Sequence, residues 1–139
     1  MKDNSTIKLK REILGLNRRN QEYVRPFNSK SSKIIADNKI YTKRVLKRDL
    51  IQTPEVYKLI RTKKQLKFLD WESLPKSFVI KPNAGTGGNG ILVFYGKKKG
   101  ENEWIRPNGT TMSQRDITLH IEGILEGRFS MGSGNDIAI

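Results

Sequence analysis

Apolar residues recur at helical spacing in two stretches near the start of the chain. Residues 8–23 mix leucine and isoleucine with lysine and arginine, which predicts a short basic helix. The pair Arg25-Pro26 predicts an extended exit from that helix, because proline disfavours the helical conformation of the residue before it. A polar loop, residues 28–32, follows, and the broad apolar face of residues 33–48 predicts a second helix.

Strand and helix signals alternate along the rest of the chain. Residues 55–60 alternate polar and apolar positions as a half-buried strand does, and Thr62 can cap a short helix that extends to Leu69. The pattern then predicts a hairpin at residues 78–96, a short strand at 104–105, a helix from the capping box of Ser113 and Asp116 to Gly127, and the start of a strand at 136–139. Together these elements predict an α+β fold.

The glycine-rich turn of the hairpin carries the clearest chemical signal. One strand ends at Lys81, the loop spans residues 85–90, and a β-branched and aromatic strand follows at 91–95. Glycine lets backbone N–H groups approach phosphate oxygens without hindrance from a Cβ atom, and a lysine adds positive charge for the same anion. The pattern therefore indicates a site for a nucleoside triphosphate.

Three common nucleotide motifs do not fit this loop. The Rossmann fingerprint needs a helix directly after the glycines, the Walker loop needs Lys-Ser or Lys-Thr, and the protein-kinase loop places its lysine on the following strand. Here Lys81 precedes the loop and a strand follows it. A glycine-rich hairpin without a ligand remains an open alternative. His120, the only histidine, has no evident partner in the sequence and is expected to be structural or exposed rather than catalytic.

The chain of 139 residues has a formal net charge of +13, which is concentrated in its first part. Residues 1–64 contain 18 lysines and arginines against six acidic residues, whereas residues 65–139 contain nine against eight. A non-catalytic cationic protein that binds nucleic acid is therefore an alternative function. Cysteine, a long apolar run and a signal-peptide pattern are all missing from the sequence, so we expect a cytoplasmic protein without a membrane span.

Ordered motifs across most of the chain resemble the ATP-grasp superfamily. The string V-I-K-P-x-x-G-x-G-G-x-G-I at residues 79–91 follows Asp37-x-Lys39, Leu46 and Ile51-x-x-Pro54, in an order similar to that of D-alanine:D-alanine ligases and glutamate-adding ligases. More narrowly, residues 13–20 and 25–28 resemble the opening of alpha-L-glutamate ligase-related proteins, close to the sugar-transfer-associated ATP-grasp group.

This resemblance implies a partial ATP-grasp fold with two regions. Residues 1–36 would form a basic amino-terminal helical segment, and residues 37–139 would form part of the nucleotide-binding region, with a small antiparallel lobe. Lys39 and Lys81 would be the two phosphate-binding lysines. The loop would fold over the β- and γ-phosphates of ATP through Gly85, Thr86, Gly87, Gly88, Asn89 and Gly90.

The resemblance also implies a reaction. ATP-grasp ligases use ATP and Mg²⁺ to convert a carboxylate into an acylphosphate, which an amine then attacks. The family's adenine-hinge acid and magnesium ligands follow a strand like residues 136–139, so we expect them outside these 139 residues and expect no metal ligand within them. The chain is then expected to be the amino-terminal part of a glutamate ligase-like enzyme, inactive alone, and no catalytic residue is assigned.

Overall fold

The computed structural model of the chain describes residues 13–130 and 134–139. Its contacts group the chain into two compact units, Met1–Ala36 and Asp37–Ile139. The separate domain roles given to these two ranges stay predictions. The described part of the first unit is helical, with α1 at Leu16–Arg19, a π-helix at Asn20–Val24, α2 at Arg25–Phe27, and most of α3, Lys30–Asp37. Residues 8–12 of the first predicted helix lie outside the described residues.

The extended exit predicted at Arg25-Pro26 is wrong. Val24 and Arg25 both keep right-handed helical dihedrals, and the helical run continues to Phe27. The π-helix before the proline has a wider turn, which reduces the crowding that a proline ring causes in an α-helix. The chain turns extended at Asn28, whose side-chain Nδ2 donates to the carbonyl of Val24 at 3.1 Å and satisfies part of the helix end.

The second predicted helix is two helices, because Asn38 interrupts it. Asn38 is extended, and its side-chain Oδ1 accepts the N–H of Tyr41 at 3.0 Å, so α4 begins afresh at Lys39–Arg48. The preceding helix α3 begins at Lys30 inside the predicted polar loop, where the Ser29 hydroxyl accepts the N–H of Ser32 at 3.0 Å. Asparagine and serine favour such N-cap positions, and their capping overrides an apolar pattern that runs through them.

Two small antiparallel sheets and two further helices make up the remaining elements among the second unit's described residues, which confirms the α+β prediction. β1 pairs with β2 in the register Phe78 to Phe94, Val79 to Val93 and Ile80 to Leu92. The second sheet has the order β3-β4-β5. The elements are α5 at Lys63–Lys67, β1 at Phe78–Ile80, β2 at Leu92–Phe94, β3 at Gly96–Lys97, β4 at Glu103–Ile105, β5 at Thr111–Ser113 and α6 at Gln114–Leu125.

The predicted caps of these helices are confirmed, and one predicted strand is wrong. Thr62 accepts the N–H of Gln65, and Ser113 accepts the N–H of Asp116, both at 3.2 Å. Residues 55–60 form no strand: Ile60 makes a single bridge to Ala138. Strand β5 was not predicted, because three residues directly before a helix cap give too short an alternation to recognise.

The hydrophobic core of the second unit combines the first sheet with α6. Side chains alternate along a strand, so Phe78 and Ile80 are buried while Val79, between them, is 39% exposed. Trp104 of β4 lies edge-on to Phe78, with ring centroids 6.3 Å apart. The helix adds Ile117, Ile121 and Ile124, all fully or almost fully buried. This core fixes β1, and the chain segment that follows β1 carries the candidate site.

Candidate nucleotide-binding site

Residues 137–139 hold the segment that follows β1. The N–H and C=O groups of Lys81 pair with those of Ile139, both at 2.9 Å, and the Asn83 N–H donates to the Ile137 carbonyl at 2.8 Å. Ala138 pairs in turn with Ile60 on its other side. The Lys81 backbone is therefore fixed in an extended ladder, because each of its polar groups has a partner.

Asp136 fixes the entrance of the glycine-rich loop. Its carboxylate is buried and accepts the N–H of Ala84 at 3.1 and 3.2 Å through its two oxygens. The same carboxylate also accepts the N–H of Ile137 at 2.7 Å and the hydroxyl of Ser130. A carboxylate can be buried when hydrogen bonds replace its hydration, and here four of them do so.

Lys39, which comes more than 40 residues earlier in the chain, contacts the same stretch of backbone. Its ammonium donates to the carbonyls of Asn83 at 3.1 Å and of Gly85 at 2.9 Å. Burial lowers the pKa of Lys39, the charge of Asp136 raises it and the charge of Lys81 lowers it. An ammonium has three N–H groups, so two carbonyls leave one donor for a further acceptor. Lys39 thus both supports the loop entrance and adds positive charge there.

Lys81 presents its charge differently. Within residues 13–130 and 134–139, its ammonium has no hydrogen-bond or ion-pair partner, and its charge adds to burial in lowering the pKa of Lys43. Lys43 itself donates to the carbonyl of Pro54. The charge of Lys81 therefore acts on both Lys39 and Lys43, and Lys81 alone of these three lysines lacks a hydrogen-bond acceptor in the described part of the chain. Such a group binds an incoming anion without first breaking an internal hydrogen bond.

The loop itself is a tight turn. Gly87 and Gly88 have φ angles of +61° and +78°, and the Asn89 N–H donates to the Thr86 carbonyl at 3.1 Å. Positive φ at both central positions is the type I′ pattern, which glycine adopts without steric cost. Among the described residues, the N–H groups of Gly87 and Gly88 find no acceptor. Successive free amides of this kind bind phosphate oxygens.

An apolar cavity of about 400 Å³ is lined by three lysines, Lys43, Lys58 and Lys81, among mostly apolar residues. Its walls include Val56, Leu69, Trp71, Leu74, Ile80 and Ile121. A cavity of this size, apolar with charge at its edge, is typical of sites for small organic ligands, which measure about 300–1,000 Å³.

A family model described as sugar-transfer associated ATP-grasp matches residues 18–139. The chain belongs to this ATP-grasp family. No curated protein and no solved structure gave a significant match to the chain. The family match confirms the ATP-grasp resemblance. At a general level, it also supports ATP binding and an ATP-dependent, ligase-like function.

The fold brings the predicted ATP-grasp site residues together. Lys39, Lys81 and the loop at residues 85–90 all lie on or against the segment after β1. Their roles as phosphate ligands stay predictions. Two supporting residues were not predicted from the sequence: Asn83, whose side chain accepts the N–H of Ile40 at 3.0 Å, and Asp136. Asp136 was noted only as part of a strand, since its partners are up to 52 residues away.

ATP-grasp enzymes generally use Mg²⁺ with ATP, and the described residues show no ready-made cluster of metal-binding side chains. No group of three or more His, Cys, Asp and Glu side chains among residues 13–130 and 134–139 could hold a metal ion. Asp136, the carboxylate beside the loop, already accepts hydrogen bonds through both oxygens. Among the helices that the structure describes, none is both long enough and apolar enough to span a membrane.

The approach of Gly85 to Pro82 gives a first prediction. A Cβ atom on Gly85 would lie 2.3 Å from Cγ of Pro82, whose ring is tied to the backbone and cannot swing away. We expect Gly85→Ala to lower the free energy of unfolding by about 1–3 kcal/mol, as overpacked sites do. Urea unfolding measures the change. Gly15→Ala is the control, because among the described residues no atom beyond its two chain neighbours lies within 4 Å of its Cβ position, and equal losses in the two variants would contradict the prediction.

Proposed function

We propose that this chain binds the triphosphate of ATP at Lys81 and the loop of residues 85–90, in support of ATP-dependent carboxylate–amine ligation of the glutamate-ligase type. The observation that carries the proposal is the combination of an ammonium without an internal partner, on Lys81, and two consecutive amides without an acceptor, on Gly87 and Gly88, among the described residues. Both groups donate to anions, and both belong to one continuous segment after β1. Lys39 adds a third source of positive charge.

Charge neutralisation is what this segment would contribute to the reaction. In a ligation of this class, the γ-phosphoryl group of ATP passes to a carboxylate oxygen, which gives ADP and an acylphosphate. An amine then attacks the acyl carbon, and phosphate leaves as the amide forms. The protein's part in phosphoryl transfer is mainly positioning and electrostatic stabilisation, which lysines and fixed amides provide.

The apolar cavity would receive the base of the nucleotide. Lys81 lines this cavity and also begins the segment that leads into the loop, so one ligand would be able to occupy both places. Aliphatic and aromatic walls suit a planar purine, while the lysines at the rim suit the phosphates attached to it. The carboxylate and amine substrates have no assigned contacts in this arrangement.

We expect the chain alone to bind ATP without turning it over, because the described residues offer no carboxylate cluster to hold a metal ion at the phosphates. Isothermal titration with ATP tests the binding. An assay of ADP release with ATP, magnesium and glutamate tests the turnover. Titrations at several temperatures that show no heat of binding would contradict the binding proposal. Magnesium-dependent ADP release that survives repurification and disappears in Lys81→Ala would contradict the expected inactivity.

A further inference from the structure

A side chain outside the proposed phosphate site holds the last residue of the glycine-rich loop. His120, on α6, lies with its Nε2 atom 2.9 Å from the carbonyl oxygen of Gly90. A carbonyl oxygen only accepts, so the imidazole carries a proton on Nε2 in this contact. The two residues are 30 positions apart, and the contact therefore ties the last residue of the loop to a helix of the hydrophobic core.

Phe129 contacts both His120 and Gly90. Its ring stacks on the His120 ring with centroids 4.8 Å apart and an angle of 28° between the planes. The same ring lies against Gly90, where an added Cβ atom would come within 2.6 Å of Cγ of Phe129. Gly90 also has a φ angle of +75°, a conformation that side chains disfavour. The Gly90 backbone is thus held by one hydrogen bond and one aromatic ring.

The entrance of the loop is held by a separate set of contacts. Asp136 accepts the N–H of Ala84, and Lys39 donates to the carbonyl of Gly85. Between the two ends, residues 86–89 are exposed. A loop whose two ends are fixed has fewer conformations to lose when a ligand orders it, so its amides bind an anion at lower entropic cost.

We propose that His120 is a positioning residue that fixes the exit of the loop and keeps the amides of Gly87 and Gly88 directed toward the triphosphate. The proposal rests on the proposed function, because it assumes that a triphosphate is the ligand. His120 touches neither the phosphates nor the reacting atoms. It acts through Gly90, whose carbonyl it holds.

Two substitutions separate the hydrogen bond from the stacking. His120→Phe keeps an aromatic ring beside Phe129 and removes the donor, whereas His120→Gln keeps a donor nitrogen and removes the ring. We expect His120→Phe to weaken ATP binding about three- to ten-fold, the usual effect of one hydrogen bond, with little change in adenosine binding. His120→Gln should restore most of the ATP affinity. Leu119→Ala is the control, since its side chain is exposed on the same helix.

Amide hydrogen exchange of the ligand-free chain tests the anchor without ATP. We expect His120→Phe to speed exchange in residues 86–91 and to leave Leu92–Phe94 unchanged, because only the loop loses a contact. Unchanged ATP affinity and unchanged loop exchange would overturn the inference. Equal losses of ATP and adenosine affinity, with earlier unfolding, would overturn it too, since they indicate a general structural role. If the unaltered chain binds no ATP, the proposed function fails, and the exchange rates alone decide whether His120 anchors the loop.

Discussion

We expect Lys81→Met to reduce the affinity of the chain for ATP by about ten- to a hundred-fold. Methionine keeps an unbranched side chain of similar length and removes the charge. A hydrogen bond to a charged group contributes about 1.5–3 kcal/mol, and Lys81 has no acceptor in the described part of the chain that would compete for its ammonium. Isothermal titration gives the affinity, and far-ultraviolet circular dichroism checks that the variant is folded.

Lys39→Met should weaken ATP binding less and destabilise the chain more. Two of the three donors of Lys39 are bound to the carbonyls of Asn83 and Gly85, so its removal takes the ammonium donor from both carbonyls, although the Asn83 carbonyl still accepts the backbone N–H of residue 39. Lys64→Met is the matched control, because this lysine is exposed and lies far along the chain from the loop. An affinity loss for Lys64→Met as large as that for Lys81→Met would contradict the assignment of Lys81.

A double lysine variant distinguishes ATP from nucleic acid as the ligand. A nucleic-acid surface would use many exposed cations, so the double change of Lys63 and Lys64 to Ala would weaken binding and flatten its salt dependence by about one unit per lost contact. Lys63 already pairs with Glu126 at 2.7 Å, which reduces its share in such a surface. The family match supports ATP, and it gives no support to the nucleic-acid alternative.

Short-range chemistry is what the sequence predicted well. The caps at Thr62 and Ser113 depend on residues three positions away, and the hairpin depends on apolar strands around glycine. The ATP-grasp resemblance depended on ordered motifs, and the family match confirms it. The interruption at Asn38 was missed because helical periodicity continues through it, although its side chain is a strong N-cap.

Contacts between residues far apart in the chain could not be predicted from the sequence. Nothing near Asp136 in the chain indicates that its carboxylate accepts the N–H of Ala84, and nothing near His120 indicates Gly90. Lys39 was predicted as a phosphate ligand from motif order alone, and that role remains untested. The folded chain adds that its ammonium holds two carbonyls of the loop entrance. Supporting residues of this kind become visible only when the backbone brings distant segments together.

Asp136 should show the largest effect on stability. We expect Asp136→Ala to lower the free energy of unfolding by about 2–4 kcal/mol, because it leaves the N–H groups of Ala84 and Ile137 and the Ser130 hydroxyl without their common acceptor. Removing this carboxylate also removes the charge that raises the pKa of Lys39, so the pKa of that lysine should fall further below its usual value. Urea unfolding followed by tryptophan fluorescence measures the change in stability.

The control for this prediction is Asp49, an aspartate whose side chain is exposed. Asp49 pairs with Arg48 at 3.3 Å while its side chain is 52% exposed, and exposed pairs contribute at most about 1 kcal/mol. Asp49→Ala should therefore cost much less than Asp136→Ala. Asp136→Asn should fall between the two, since an amide keeps one accepting oxygen in place of two. If Asp136→Ala and Asp49→Ala shift the unfolding midpoint equally, the carboxylate of Asp136 does not hold the loop entrance.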